Sequence, residues 1–146
     1  MSKSKYGAKK IIVDGIKFDS KVEASYYKVL KHKQEIGEVK DFELQPEIEI
    51  IPSFKYKNRK RRPMVYRMDF KVEYYDGLIV YVDIKGMPTP DAKLKRKLVE
   101  HMFRDNELEH IIWLSASIKY GDQYGFIETD ELTAIRRKNK RKKRGL

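Results

Sequence analysis

Four side chains have the types and spacing for acid–base or metal chemistry: Glu23, Asp69, Asp83 and Lys85. Asp83 and Lys85 end the run Leu78-Ile-Val-Tyr-Val-Asp-Ile84-Lys85, which is apolar on both faces and reads as a central strand. At a spacing of two, both side chains leave the same face. Burying those charges without partners would be costly. Asp69 lies between Met68 and Phe70 and should point away from both. Asp76-Gly77 reads as a two-residue turn, so positions summing to about 153 should lie opposite each other. That sets Asp69 across from position 84, beside Asp83 and Lys85. Two carboxylates brought together repel unless a proton or cation lies between them. Hard oxygen ligands suit Mg²⁺ or Mn²⁺. Such an ion would activate water, stabilise charge developing on a phosphate, or both. Lys85 would orient or deprotonate that water, or offset charge on the phosphate. Glu23, at the edge of a helix's buried stripe, could supply a third carboxylate.

Each residue also has a plainer reading. Ser20-Lys-Val-Glu23 is a capping box. Asp69 could pair with Lys71 or Lys85 on a solvent-facing strand. Asp83 and Lys85 could be an ion pair at a strand end. A lone D-x-K occurs by chance in many chains, whereas helix-Glu, strand-Asp and D-x-K in this order is more specific.

These residues must be positioned by surrounding elements. Residues 11–18 read as a hairpin turning at Asp14-Gly15. A helix starts at Asp19 or Ser20, with Val22, Tyr26, Val29, Leu30 and Ile36 on one face and Gly37 as its C-cap. Residues 42–51 alternate as a half-buried strand that Pro46 breaks or confines to an edge. Residues 52–63 read as a basic loop, and a second strand over 65–75 puts Met68, Phe70, Val72 and Tyr74 on one face. The third strand ends at Asp83-Ile-Lys85. Thr89 then caps a second helix that starts with Pro90, its apolar face formed by Leu94, Leu98, His101 and Met102. Residues 110–116 form a fourth strand, 118–128 has no clear period, and 130–138 reads as a short helix leading into a basic tail. The order implies an α/β fold around one mixed central sheet.

The net charge of +11 is unevenly spread. Residues 1–10, 55–62 and 136–144 hold 18 of the 33 Lys and Arg and none of the 22 Asp and Glu, leaving the rest of the chain at −7. An acidic body with basic appendages points to polyphosphate, above all nucleic acid. No amphipathic basic helix accompanies them, so a membrane partner is not expected. Cysteine is absent, which excludes disulfides, thiol catalysis and Cys-ligated metal sites. No Walker loop is present. The opening residues have no apolar stretch resembling a secretory signal, so the expected location is the cytoplasm, or the host cytoplasm if the chain is phage-encoded.

The set Glu23, Asp69 and Asp83-Ile84-Lys85 resembles the active site of the PD-(D/E)XK nuclease superfamily. The chain is similar in particular to phage-borne Holliday-junction-resolvase-like nucleases, at residues 13–23, at Leu44-Gln-Pro46, at Tyr66-Arg-Met-Asp-Phe70, and at Val82-Asp-Ile-Lys-Gly86 followed by Thr89 and Lys97. The likeness covers roughly residues 5–115. It departs at Asp83, where many members have Glu, and at Met68, where the superfamily's proline would stand.

The resemblance implies a restriction-endonuclease-like core of helix, three strands, helix and strand. It implies a Mg²⁺- or Mn²⁺-dependent DNA endonuclease with Glu23, Asp69 and Asp83 as ligands and Lys85 catalytic. Branched DNA such as a Holliday junction would be the substrate, and a homodimer would make the paired cuts. The nuclease domain would span 11–130, between a basic arm at 1–10 and a basic tail at 131–146. Expected DNA contacts are Thr89, Lys93 and Lys97 on the second helix, Arg59, Lys60, Arg61 and Arg62 in the basic loop, and Arg136, Arg137 and Lys138 in the tail. The alternative is a non-catalytic nucleic-acid-binding protein using the same basic segments. It explains the charge but not the acids.

Overall fold

The computed structural model describes residues 10–145, so the expected basic arm lies, apart from Lys10, outside the described residues. Strands β1 (Ile11–Val13) and β2 (Ile16–Phe18) form the expected hairpin, with Asp14 and Gly15 both at positive φ. Helix α1 (Lys21–Glu35) starts where Ser20 accepts a hydrogen bond from the Glu23 backbone N–H at 3.1 Å. It ends just before Gly37, whose φ of 81° reverses the chain at low cost. Ala24, Tyr26, Tyr27 and Leu30 are buried, while Ile36, expected in the same stripe, falls past the last turn and is exposed.

The expected strand over 42–51 is two strands, β3 (Asp41–Leu44) and β4 (Glu47–Ile51), broken at Gln45-Pro46. The expected basic loop is a hairpin, β5 (Phe54–Tyr56) and β6 (Arg59–Arg61). Its two-residue turn, Lys57-Asn58, has both residues at positive φ, as the tightest hairpins require. The expected strand over 65–75 is also divided, into β7 (Met64–Arg67) and β8 (Phe70–Glu73). Strand β9 (Ile79–Ile84), helix α2 (Pro90–Phe103), strand β10 (Glu109–Ala116), strand β11 (Phe126–Glu128) and helix α3 (Thr129–Lys143) complete the fold. Thus α3 runs through most of what reads in sequence as a tail. No helix among the described residues is long and apolar enough to cross a membrane.

The central sheet has the order β11-β10-β9-β8-β3. It is mixed: β9 and β10 are parallel across the α2 crossover, and the other neighbours are antiparallel. One face packs Phe70, Val72, Val82, Leu114 and Phe126 against Tyr26, Tyr27 and Leu30 of α1. The other packs Tyr81 with Val99 of α2 and with Ile48, Tyr66 and Met68 of the β4–β7 arm. The fold is therefore α/β in three layers, with β9 at its centre.

The division at Met68-Asp69 explains why Met68 and Phe70 do not share a face. Met68 joins the α2 side and Phe70 the α1 side. The two breaks are coupled, because the Gln45 N–H donates to the Asp69 carbonyl at 2.9 Å and the Met68 N–H to the Pro46 carbonyl at 3.0 Å. On α2 the buried stripe is also turned from the expected one. Val99 is buried and Ala92, Arg96 and Phe103 are half-buried, whereas Leu94 is 56% exposed and Met102 44%. Val99 and Phe103 fit against Tyr81, and Arg96 stacks on Trp113, so tertiary partners select a face that hydropathy alone misplaces. Val99→Ala should therefore cost about 2 kcal/mol through lost burial and a cavity, and Leu94→Ala no more than about 0.5 kcal/mol. Urea denaturation of the two variants gives the comparison, and the reverse ranking would place the other face inward.

Candidate active site

Strand β9 carries Asp83 on the α2 side, 4% exposed, in register with Trp113 on β10. A buried carboxylate needs donors, and Asp83 has them. Its Oδ2 accepts from Tyr66 Oη at 2.6 Å and pairs with Lys85 Nζ at 3.0 Å. Tyr66 Oη in turn accepts from Trp113 Nε1 at 2.8 Å. The Arg96 guanidinium lies 4.4 Å from the Trp113 ring centroid and forms two hydrogen bonds to Asp130 at the start of α3. Asp83 thus sits at the end of a chain of packed groups reaching from α3 to the sheet. Burial, then the Asp83 hydrogen bond, raise the Tyr66 hydroxyl well above its ordinary range, so at neutral pH it keeps the proton that it donates to Asp83 while accepting from Trp113.

Asp69 is brought beside Asp83, by a register that differs from the expected one. The turn after β8 holds three residues rather than two, with Tyr74 N–H donating to the Leu78 carbonyl and Gly77 at φ 90°. Phe70 therefore faces Val82, one position short of the two-residue alignment. The regular ladder ends at that pair, and the Asp69 N–H donates to the Val82 carbonyl at 3.0 Å, so Asp69 reaches Asp83 through a bulge-like irregularity and not as the next rung. Asp69 Oδ2 accepts from the Ile84 N–H at 2.7 Å. Burial, then contact with the Asp83 carboxyl, push Asp69 up to about 8.

Glu23 stands on the first turn of α1 and lines a cleft of 140 Å³ with Asp69, Gln45, Leu44 and Phe18. Its carboxyl is raised above the ordinary range, first by burial and then by the Asp19 charge, with a smaller push from Asp83, while the Lys85 ammonium opposes the shift. Its backbone N–H makes the expected cap to Ser20, so the capping and acidic roles coexist. Asp69 and Asp83 form the close pair and Glu23 stands at its rim. Among the described residues no three acidic or histidine side chains lie close enough to clasp an ion as they stand. The all-oxygen donor set nevertheless fits Mg²⁺ or Mn²⁺. Burial, then the neighbouring Asp83 carboxyl, favour a proton on Asp69 that a cation would displace.

Two wider clefts meet at Lys85. One, of 460 Å³, is lined by Asp83, Lys85, Tyr66, Glu47, Thr89 and Lys95. The other, of 360 Å³, is lined by Lys85, Ser20, Gly86, Ser115, Leu132 and Arg136. Thr89 caps α2 by accepting from the Ala92 N–H at 3.1 Å, and it also borders the first cleft. Lys93 and Lys97 are exposed on α2 but line neither cleft; Lys95 does. Arg136, read in sequence as part of a tail, borders the second cleft because α3 returns toward the sheet. Arg137 and Lys138 follow it on the exposed face of α3, and Arg59, Lys60 and Arg61 are exposed on β6, with Arg62 beside them.

Sequence reasoning attached no role to Tyr66, Trp113, Arg96, Lys95 or Gln45. Tyr66 and Gln45 do lie within motifs that carry the resemblance. Gln45 is also held at φ 51°, a conformation unfavourable for a side chain with a Cβ, between the two coupled strand breaks and against the Glu23–Asp69 cleft.

Residues 3–122 match the family model described as a protein of unknown function, DUF1064, and the chain belongs to that family. No curated protein and no solved structure matches the chain.

The raised Asp69 makes a prediction about pH. Its carboxyl keeps a proton in the fold where the unfolded chain has already lost it. Its stabilising contribution is complete below about pH 4 and is lost as pH rises through about 8. In chelator, the melting temperature should fall across that window. Asp69→Asn, which retains an acceptor for the Ile84 N–H, should melt higher than wild type at pH 8 and equally at pH 4. Identical pH profiles for the two proteins would show that the acid pair carries no strain.

Proposed function

We propose that the chain is a divalent-metal-dependent DNA endonuclease of the PD-(D/E)XK type. The observation that carries this reading is the buried Asp69–Asp83 pair beside Lys85 at the end of the central strand, where two clefts meet. The order helix, three strands, helix, strand of the restriction-endonuclease-like core has its counterpart in α1, β3, β8, β9, α2 and β10, with the β4–β7 arm inserted. Mg²⁺ or Mn²⁺ held by Asp69 and Asp83, with Glu23 joining from α1, would polarise the scissile phosphate and acidify water.

The chain's own groups prepare that chemistry. The Ile84 N–H anchors Asp69 Oδ2, and Tyr66 and Lys85 anchor Asp83 Oδ2. Both carboxylates are thereby held in fixed orientation before metal or substrate arrives, which spares reorganisation during the reaction. Lys85 borders both clefts, so a phosphate entering through either meets its ammonium. Lys95 and Arg136 flank it, one on each side, and supply further positive charge for the strand on either side of the cut. The exposed lysines and arginines of α3 would add affinity without reading bases.

For substrate, we favour branched DNA cut symmetrically by a homodimer in the cytoplasm of the cell that holds the DNA. The support is the resemblance together with a basic surface suited to backbone and shape rather than base edges.

Asp83→Asn and Asp69→Asn should each abolish cleavage while leaving DNA binding intact or tighter, since each removes a ligand and a negative charge near phosphate. Lys85→Ala should stop turnover with metal binding preserved. The assay is a panel of labelled four-way junctions, flaps, nicked and linear duplexes, with Mg²⁺, Mn²⁺ or chelator, alongside light scattering for a dimer on the junction. Wild-type protein that binds the panel but cuts nothing would leave the non-catalytic nucleic-acid-binding reading standing. Near-wild-type cutting by Asp83→Asn would remove the site assignment.

A further inference from the structure

The β5–β6 hairpin has no part in either core. All six of its strand residues are exposed, and it forms a separate two-stranded sheet at the far end of the β4–β7 arm. Two strands alone are marginally stable in water, so the fold gains little from keeping it. Its register is definite: Phe54 pairs with Arg61, Lys55 with Lys60 and Tyr56 with Arg59. Opposed residues share a face and the faces alternate along each strand. Phe54, Tyr56, Arg59 and Arg61 therefore make one face, and Lys55 and Lys60 the other. Phe54 is 48% exposed and Tyr56 55%, and the only cation over Tyr56 among the described residues is Lys57 of the hairpin's own turn, at 5.5 Å.

A face of two open aromatic rings interleaved with two guanidinium groups is a stacking platform for nucleobases. Charge selects among the possible occupants. Residues 55–62 carry six basic groups and no acid, so a second copy of the hairpin would be repelled and a polyanion attracted. Lysine and arginine alone would suffice to hold duplex phosphate, and in an intact duplex the bases are stacked on each other. The rings are matched to bases that have left the stack, and those occur where strands branch. The arm also links this platform to the site. Tyr66, the donor to Asp83, lies on β7, which leads from the hairpin to Asp69. At about 3.3 Å per residue the tip reaches no more than about 40 Å from Asp69.

We propose that the β5–β6 hairpin is a base-stacking wing that holds an unstacked base at a DNA branch point and so sets which structure the nuclease cuts. This rests on the reading of the chain as a DNA nuclease. The test uses the full chain with Ca²⁺ in place of Mg²⁺, a four-way junction and a linear duplex of equal length, and the variants Phe54→Ser/Tyr56→Ser and Arg59→Gln/Arg61→Gln. The aromatic variant should lose about tenfold or more in affinity for the junction. It should bind the duplex as wild type does and melt at the wild-type temperature. The arginine variant should weaken on both DNAs, with the slope of log K against log salt reduced by about 1.8. A 2-aminopurine at the branch point should change fluorescence on binding wild type but not the aromatic variant.

Equal losses on junction and duplex, or no loss on either, would overturn the wing while wild-type cutting of DNA left the nuclease reading intact. Failure of wild type to bind any DNA, or tighter binding to single-stranded RNA than to every DNA, would overturn both.

Discussion

The structure turns on one requirement: Asp83, nearly inaccessible at the end of the central strand, must find hydrogen-bond donors beside a second carboxylate. Leaving it unpaired would be prohibitively costly. Tyr66 and Lys85 supply its donors, Trp113 fixes Tyr66, and Arg96 covers Trp113 while joining α2 to α3. These groups come from β7, β9, β10 and α2, so the carboxylate acts as the point at which separate elements are brought into agreement. The same arrangement makes the site rigid, because moving any one member leaves another buried polar group without its partner.

The second constraint is geometric. Both ladders on one side of β9 break at the same level, at Gln45-Pro46 and at Met68-Asp69, and backbone hydrogen bonds across the break keep them together. The divided strands send Phe70 to one core and Met68 to the other. The break frees Asp69 from a regular strand position and puts its carboxyl over the Ile84 N–H. It also lets the β4–β7 arm depart from the sheet and carry the β5–β6 hairpin outward. The left-handed conformation of Gln45 is where this reversal stores its local strain.

Much of this was legible in sequence where short-range chemistry decides. The Asp14-Gly15 turn, the Ser20 and Thr89 caps, the Pro46 break and the centrality of β9 all follow from residues within a few positions of one another. The four acid and lysine candidates were also visible, since D-x-K on an apolar strand is anomalous wherever it falls.

What only the tertiary structure decided depended on distant partners. The irregularity at Met68-Asp69, where the Asp69 N–H meets the Val82 carbonyl and its carboxyl the Ile84 N–H, decides that Asp69 meets Asp83, and no local residue pattern announces it. The buried face of α2 is chosen by Tyr81 and Trp113, so Val99 and Arg96 turn inward and Leu94 outward. The Tyr66–Asp83–Trp113 contacts join residues up to 47 positions apart. The course of α3, which sets Arg136 against the cleft at Lys85, is likewise invisible in a run of basic residues. Residue types and local turns determined which groups were available for chemistry; long-range packing, which no local pattern encodes, determined which of them meet.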